Sequence, residues 1–382
     1  MNNKNSMKVL ITGARAPIAL DLARIFHRAQ HRVYMADSTR YPLSKKSNCI
    51  AEYITLPSPR LQPTQFVNSL KQALKEFQID MLIPTCEEIF YISQFRNQFP
   101  SDLIVFCDNF IKLKWLHNKY TFIQSCSNQP IYTPKTYLID EHLSLDDLED
   151  IRYVIKPVYS RFATQVILNA SKKQILELKK SKPNQYIAQE FIGGAEYSTY
   201  GVALNGKLTA NVCYHSLYRA GKGAGILFHN VYIPEIFNFI TEYVKENNFT
   251  GQIAFDFIQD RKGNVYVIEC NPRGTSGLHF FKHEKHFSNA FIDPMVLLIP
   301  DMLRYKALKL AVYCFALPKI RNLSGLRNLI KHLNLCQDII YDKEDKIPAF
   351  YQFYSLMVIF IKSLAAFKSP LTISTCDIEY DG

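Results

Sequence analysis

Asp256, Glu269 and Asn271 are the residues whose types and spacing most readily do chemistry. They lie in the stretch Q-I-A-F-D-F-I-Q-D-R-K-G-N-V-Y-V-I-E-C-N-P-R-G-T, residues 252–275. Two apolar runs, 253–258 and 265–268, flank the turn-forming D-R-K-G-N and read as a β-hairpin. Strand alternation puts Glu269 and Asn271 on one face and Cys270 on the other. With a two-residue turn at Lys262-Gly263, Asp256 stands opposite Glu269 with Cβ atoms roughly 5 Å apart. Facing carboxylates repel unless a cation lies between them. Two carboxylates and an amide carbonyl form a hard oxygen set suited to magnesium carrying substrate phosphates. An odd-length connection would send the two acids to opposite faces, so the metal reading requires an even loop or a compensating bulge. The competing reading is a solvent-facing hairpin edge with unrelated charges.

Other residues invite a phosphate. Lys156 ends the strand Y-V-I-K and could aim a point charge into a cleft, although most lysines are simply solvated. Arg219 to Gly225, R-A-G-K-G-A-G, is a basic glycine-rich loop able to close over phosphates, or a plain surface connection. Glu87 and Glu88 follow the strand 80–84, where open α/β sheets place ligands; they serve equally as first-turn acids on a helix dipole.

The elements that must hold these groups follow in order. Residues 7–12 form a buried strand, Gly13 to Pro17 turns the chain, 18–29 is helical and 33–36 is a strand closed by Asp37. This is a βαβ unit of a parallel sheet. Gly13 stands alone where a dinucleotide fingerprint needs three glycines, so a scaffold role is favoured over nicotinamide binding. A helix over 65–77, a strand over 80–84, a strand over 103–107 and one helix over 108–126, containing Trp115 and Lys119, continue the pattern. Strands over 186–192, 198–204 and 208–214 follow, the last two joined at Asn205-Gly206.

In that order the parts resemble the ATP-grasp superfamily, specifically its carboxylate–amine ligases and the large chain of carbamoyl phosphate synthetase. The resemblance runs over about residues 7–300 and is most specific at D…E-x-N-P-R, here Asp256, Glu269, Asn271, Pro272 and Arg273. It implies a Rossmann-like parallel-sheet domain (1–112), a two-lobed ATP-grasp domain (113–300) with the ATP and magnesium site, and a mostly helical extension (301–382), an α/β and α+β architecture. It assigns magnesium, or manganese in its place, to Asp256, Glu269 and Asn271. Arg273, with Arg219 as a second arginine, would steady the transferred phosphate. Lys119 and Lys156 match the lysines that contact ATP phosphates. Gln189, Glu190, Phe191 and Ile192 match the hinge strand that reads adenine, and Glu196 matches the acid that accepts from the ribose. One departure stands out: the loop after Lys156, residues 159–164, has no glycine, so Arg161 and hydroxyls would replace the usual amide contacts. The implied activity is ATP-dependent joining of a small-molecule carboxylate to an amine or ammonia through an acyl phosphate. The alternative is an ATP-binding regulatory or scaffold protein of the same fold without efficient turnover.

Composition narrows the classes. The chain has 382 residues, 48% hydrophobic and 21% charged, which describes globular domains with ample core. A net charge of +11 suits nucleic acid, an anionic membrane or a nucleotide, and the lack of a dense basic run sets nucleic acid aside. Nine cysteines without a CxxC pair, and a first strand with no secretory leader before it, point to reduced thiols and a cytoplasmic protein. The apolar stretch 349–367, interrupted by Gln352 and Lys362, is expected to be a buried packing helix in preference to an interfacial or membrane-spanning one. The acidic tail 376–382 is expected to be a solvated terminus in preference to one docked against the basic cleft. The oligomeric state stays open, a homodimer being compatible with the sequence.

Overall fold

The structure is a computed structural model and describes residues 6–144, 146–159, 166–182, 185–221, 223–301 and 304–382. Arg161 and most of the glycine-free loop after Lys156 lie outside the described residues.

Apolar β-rich runs alternating with amphipathic helices build a parallel sheet first. Its strands are β1 (Lys8–Thr12), β2 (Arg32–Asp37), β3 (Glu52–Thr55), β4 (Met81–Ile83) and β5 (Ile104–Val105), in the order β3-β2-β1-β4-β5. Every pairing is parallel, and β1 is buried along Val9 to Thr12, as a sheet covered on both faces requires. Helices α1 (Pro17–Arg28), α2 (Pro63–Glu76) and α3 (Glu88–Gln94) supply the crossovers. The order reverses beside β1, the position at which such sheets leave a crevice at the strand carboxyl ends.

The single helix expected over 108–126 is two, α4 (Phe110–His117) and α5 (Lys119–Ser125). Asn118 breaks it. Its ψ of 111° is extended, and its side chain accepts from the amides of Tyr120 and Thr121 as an N-cap. Lys119 therefore opens a helix instead of sitting within one.

A four-stranded antiparallel sheet follows, of β6 (Thr136–Leu138), β7 (Tyr153–Pro157), β8 (Ile167–Ala170) and β9 (Tyr186–Glu190), in the order β6-β9-β7-β8, with α6 (Lys172–Ser181). The larger sheet contains β10 (Gly194–Leu204), β11 (Lys207–Ala220), β12 (Ala224–Val231), β13 (Gly251–Asp260) and β14 (Val265–Asn271), with α7 (Pro234–Glu246). It runs β14-β13-β10-β11-β12 and is extended at its far edge by β15 (Tyr305–Ala307) and β16 (Cys336–Asp338). The C-terminal segment is thus not only helical: between its helices it adds two strands to this sheet. One continuous apolar core joins Leu10, Leu82 and Phe90 beside the first sheet to Phe239, Phe255 and Phe257 beside the last.

The remaining helices are α8 (Lys309–Phe315), α9 (Leu323–Leu335), α10 (Ile347–Ala366) and α11 (Pro370–Ile373). The expectation of a buried helix over 349–367 fails. Only Pro348, Ser355 and Ser363 of α10 are buried, while Phe350 is 72% and Leu364 60% exposed. By length and composition α10 could cross a membrane, with a mean hydropathy of 1.4. The tail is not solvated either; it folds back across the first sheet, where Arg15 and Ser38 donate to Asp377.

Candidate ATP and magnesium site

The hairpin has the odd connection, which brings the acids to one face only with a compensating bulge. Arg261, Lys262 and Gly263 form a three-residue loop, in which Gly263 takes φ +88° and the Asp260 carboxylate accepts from the amides of Lys262 and Asn264. An odd loop alone would pair Asp256 with Ile268. A β-bulge at that position restores the register, so Phe257 pairs with Val267 and Asp256 with Glu269. Phe255, Phe257, Val267 and Cys270 then face the core, and Asp256, Glu269 and Asn271 share the other face.

Around the two acids the other groups converge. Ser198, opposite Asp256 on β10, donates to Asp256 Oδ1 at 2.6 Å. Asn271 Nδ2 reaches Asp256 and Glu269 at 3.4 Å each, and Arg273 donates to Asn271 Oδ1 at 3.1 Å. Lys119 Nζ lies 3.4 Å from Glu269 Oε2. Lys156 donates to Gln189 Oε1 at 2.8 Å, and Gln189 donates in turn to Thr136 at 3.1 Å. Glu196 on β10 pairs with Arg219 on β11 at 2.6 Å. Arg219 also donates to the Gly223 carbonyl, which ties the glycine-rich turn to the same place.

The electrostatics set two facing acids among basic groups. Burial, and then the charge of Glu269, push the Asp256 carboxyl well above the usual carboxylate range. Burial would raise Glu269 too, but Lys119 and Lys156 outweigh it and keep it ionised. Burial lowers Lys156, partly offset by Glu269 and reinforced by Lys119. A divalent cation between the acids would relieve what a proton relieves on Asp256, and the hard donors fit magnesium. Among the described residues no three His, Cys, Asp or Glu side chains cluster as a metal site, so the donor set is two carboxylates and an amide.

Glu87 and Glu88, indistinguishable in sequence, separate here. Glu88 is structural: it accepts from Thr12 Oγ1 at 2.7 Å and from the amides of Thr85 and Cys86. Glu87 turns toward Arg273, 3.7 Å away, and accepts from the Tyr380 amide at 3.1 Å. Gly13, at φ +78°, packs so tightly that a Cβ would meet Thr85 Oγ1 at 2.4 Å. Asp37, where a ribose acid would stand, accepts from the Arg15 side chain at 3.0 Å. The turn is filled with protein, in keeping with a scaffold role.

Ser198 and His117 carry no mark in the sequence, and the tail, expected to be solvated in preference to docked, is docked. His117 is buried, lies against Phe90 and Tyr159, and is pushed down to about 3 by burial, so it is neutral. Tyr380 stacks on Phe90 at 4.6 Å, while Arg60 pairs with Glu379 and Asp381. Ser198 becomes legible once β10 is registered against β13; nothing local marks His117.

Residues 116–277 match the family model of the ATP-grasp domain. No curated protein matches the chain. Among solved structures it is similar to the L-amino acid ligase of Bacillus licheniformis, at 16% identity and a TM-score of 0.53 over 71% of this chain and 68% of that one. It is also similar to N5-carboxyaminoimidazole synthetase from Staphylococcus aureus complexed with ADP, at 14% identity and a TM-score of 0.57 over 74% and 75%. The biotin carboxylase domain of Hydrogenobacter thermophilus 2-oxoglutarate carboxylase, in complex with MgADP and bicarbonate, gives 12% identity and 0.55 over 71% and 65%. At such identities the likeness is one of fold. The matched segment takes in Lys119, Lys156, Glu196, Asp256, Glu269 and Arg273, and residues 116–277 are an ATP-grasp domain.

Proposed function

We propose that the protein is an ATP-dependent ligase that activates a small-molecule carboxylate as an acyl phosphate and couples it to an amine or ammonia. The observation that carries this reading is the half-buried Asp256–Glu269 pair with two lysines and an arginine around it. A carboxylate is a poor acyl donor because oxide would have to leave. Phosphoryl transfer from ATP to its oxygen releases ADP and leaves an acyl phosphate; the amine then displaces phosphate and gives up a proton. Such transfer rests on in-line positioning and charge neutralisation.

Asp256, Glu269 and Asn271 would hold magnesium, or manganese, which when bound neutralises charge on the phosphates. Lys119 and Lys156 place positive charge beside the phosphates, and Arg273 steadies the group in transit. Arg219 and Glu196 lie together, Glu196 for the ribose and Arg219 for the phosphate side. The amides of Glu190 and Phe191 donate to the carbonyls of Lys135 and Arg152, so adenine reading by residues 189–192 falls to their carbonyls and to Ile192. Among the described residues no disulfide joins the cysteines, which agrees with work in a reducing cytoplasm.

Hydroxylamine trapping tests the reading. Incubation with ATP, magnesium and pooled carboxylates should release ADP and form a hydroxamate with one pool. One observation favours the second reading, nucleotide binding without turnover: the tail seats Tyr380 on Glu87, beside Arg273. Tight ATP binding with no hydroxamate from any pool would select it.

A further inference from the structure

Helix α10 is inside out. Its inward residues, Pro348, Ser355 and Ser363, are small or polar. Its outward residues Phe350, Phe353, Met357, Phe360, Ile361 and Leu364 recur at spacings of three and four, and so form one stripe. Phe367, just beyond, is 97% exposed. A contiguous apolar stripe of this size marks an interaction surface. Across from α10, α8 presents Leu310, Ala311 and Phe315, and an apolar cavity of about 680 Å³ separates the two helices.

The charge around the stripe says what covers it. Residues 307–337 and 346–376 contain eight lysines and arginines and no aspartate or glutamate. Lys362 and Lys368 stand exposed on and just past α10 itself, beside the aromatic stripe. A second copy of the chain would bring these cations against their own kind, whereas an anionic bilayer complements them. Apolar and aromatic side chains flanked by lysines whose stems reach past them suit the headgroup boundary.

A span is excluded by the ends of the segment. Asp345, just before α10, is held by Arg24 of α1 at 2.9 Å. Asp377, beyond α11, is held by Arg15 of the β1–α1 turn at 2.9 Å. Both ends are fastened to one βαβ unit on one side. A helix about 30 Å long has the length to cross, but crossing would put these two anchors on opposite sides of the bilayer.

We infer that α10 lies flat on an anionic lipid surface and holds the protein there peripherally, through its outward apolar stripe with Lys362 and Lys368. The probe is co-sedimentation of the full chain with vesicles of phosphatidylcholine containing phosphatidylglycerol, against vesicles of phosphatidylcholine alone. Binding should require the anionic lipid and be released by 1 M salt (about a threefold shorter Debye length than at 0.1 M). Lys362→Ala with Lys368→Ala should weaken it roughly 30-fold, at about a factor of five per lysine. Phe353→Asp with Phe360→Asp should weaken it at least tenfold, with far-ultraviolet circular dichroism and melting unchanged for both pairs. Equal binding to the two vesicle types would overturn the inference. So would binding that survives alkaline carbonate, which means insertion. A soluble dimer broken by Phe353→Asp, with no vesicle binding by the wild-type chain, would assign the stripe to a second copy instead.

Discussion

At the scale of the residue, burial and like charge act together on Asp256, and only a proton or a cation between the acids relieves them. Lys119 and Lys156 are placed to favour one ionised carboxylate, Glu269. Lys156 is half-buried and its pKa is lowered by desolvation, and among the described residues its ammonium donates to Gln189 Oε1. Lys156→Met should therefore leave melting unchanged or raised, while the KM for ATP rises at least tenfold in steady-state ADP release. A melting temperature several degrees lower with an unchanged KM would assign Lys156 to structure. The identities of the acids, of Asn271 and of Arg273 were legible in the sequence because they sit within one hairpin. Ser198 was not, because its partner lies 58 residues away on a strand whose register no local pattern states.

At the scale of the element, the facing acids depend on a register condition that the hairpin meets by a compensating bulge and not by an even loop. Sequence pattern located both strands and both acids, yet the turn is odd and the bulge at Ile268 repairs the register. Bulges answer to twist and cross-strand packing, which alternation in one strand does not report. The split at Asn118 is similar: apolar spacing continues through it, and only the cap bonds end one helix and start the next. Asn118→Ala removes those bonds and should cost about 1 kcal/mol. It should also raise the KM for ATP severalfold, because Lys119 is the first residue of the released turn; chemical denaturation and ADP-release kinetics check the two effects.

The tail is an element that composition misjudged, since its acids meet Arg15 and Arg60, which no sequence window brings together. Burial would raise Asp377, but Arg15 and Ser38 hold it below its ordinary value. Docking stability from this group is then complete above the unfolded carboxylate value of roughly 4 and is lost as pH falls through the lower folded value. Amide exchange over 374–381, corrected for intrinsic rate, should accelerate below that range, and Asp377→Asn should show the faster exchange already at neutral pH. Protection unchanged in Asp377→Asn would mean that the stacked Tyr380 holds the tail by itself.

At the scale of the whole molecule, a buried ionic cluster fastens the C-terminal segment to the first sheet. Asp21, Arg24, His279, Lys282, Asp342 and Asp345 come from three distant parts of the chain, and Arg24 also donates to the carbonyls of Ile339 and Ile340. Removing one partner strands the rest, so Asp21→Ala should cost about 3–5 kcal/mol and lower the melting temperature by several degrees. None of this was legible: each residue alone reads as a surface charge, and the mostly helical extension expected over 301–382 gave no sign of β15 and β16. The fold class was legible because alternating strands and helices leave few ways to close a parallel sheet. The outward face of α10 was not, since hydrophobicity states that a surface will be covered and not by what.

The central claim is that the bulged hairpin anchors ATP through a divalent cation. Calorimetric titration of ATP into the protein, with and without magnesium, tests it on the wild type and on Asp256→Asn with Glu269→Gln. The wild type should bind at least tenfold more tightly with magnesium, and the double variant should lose that gain while melting at or above the wild-type temperature. Magnesium-dependent binding that persists in the folded double variant would contradict the claim.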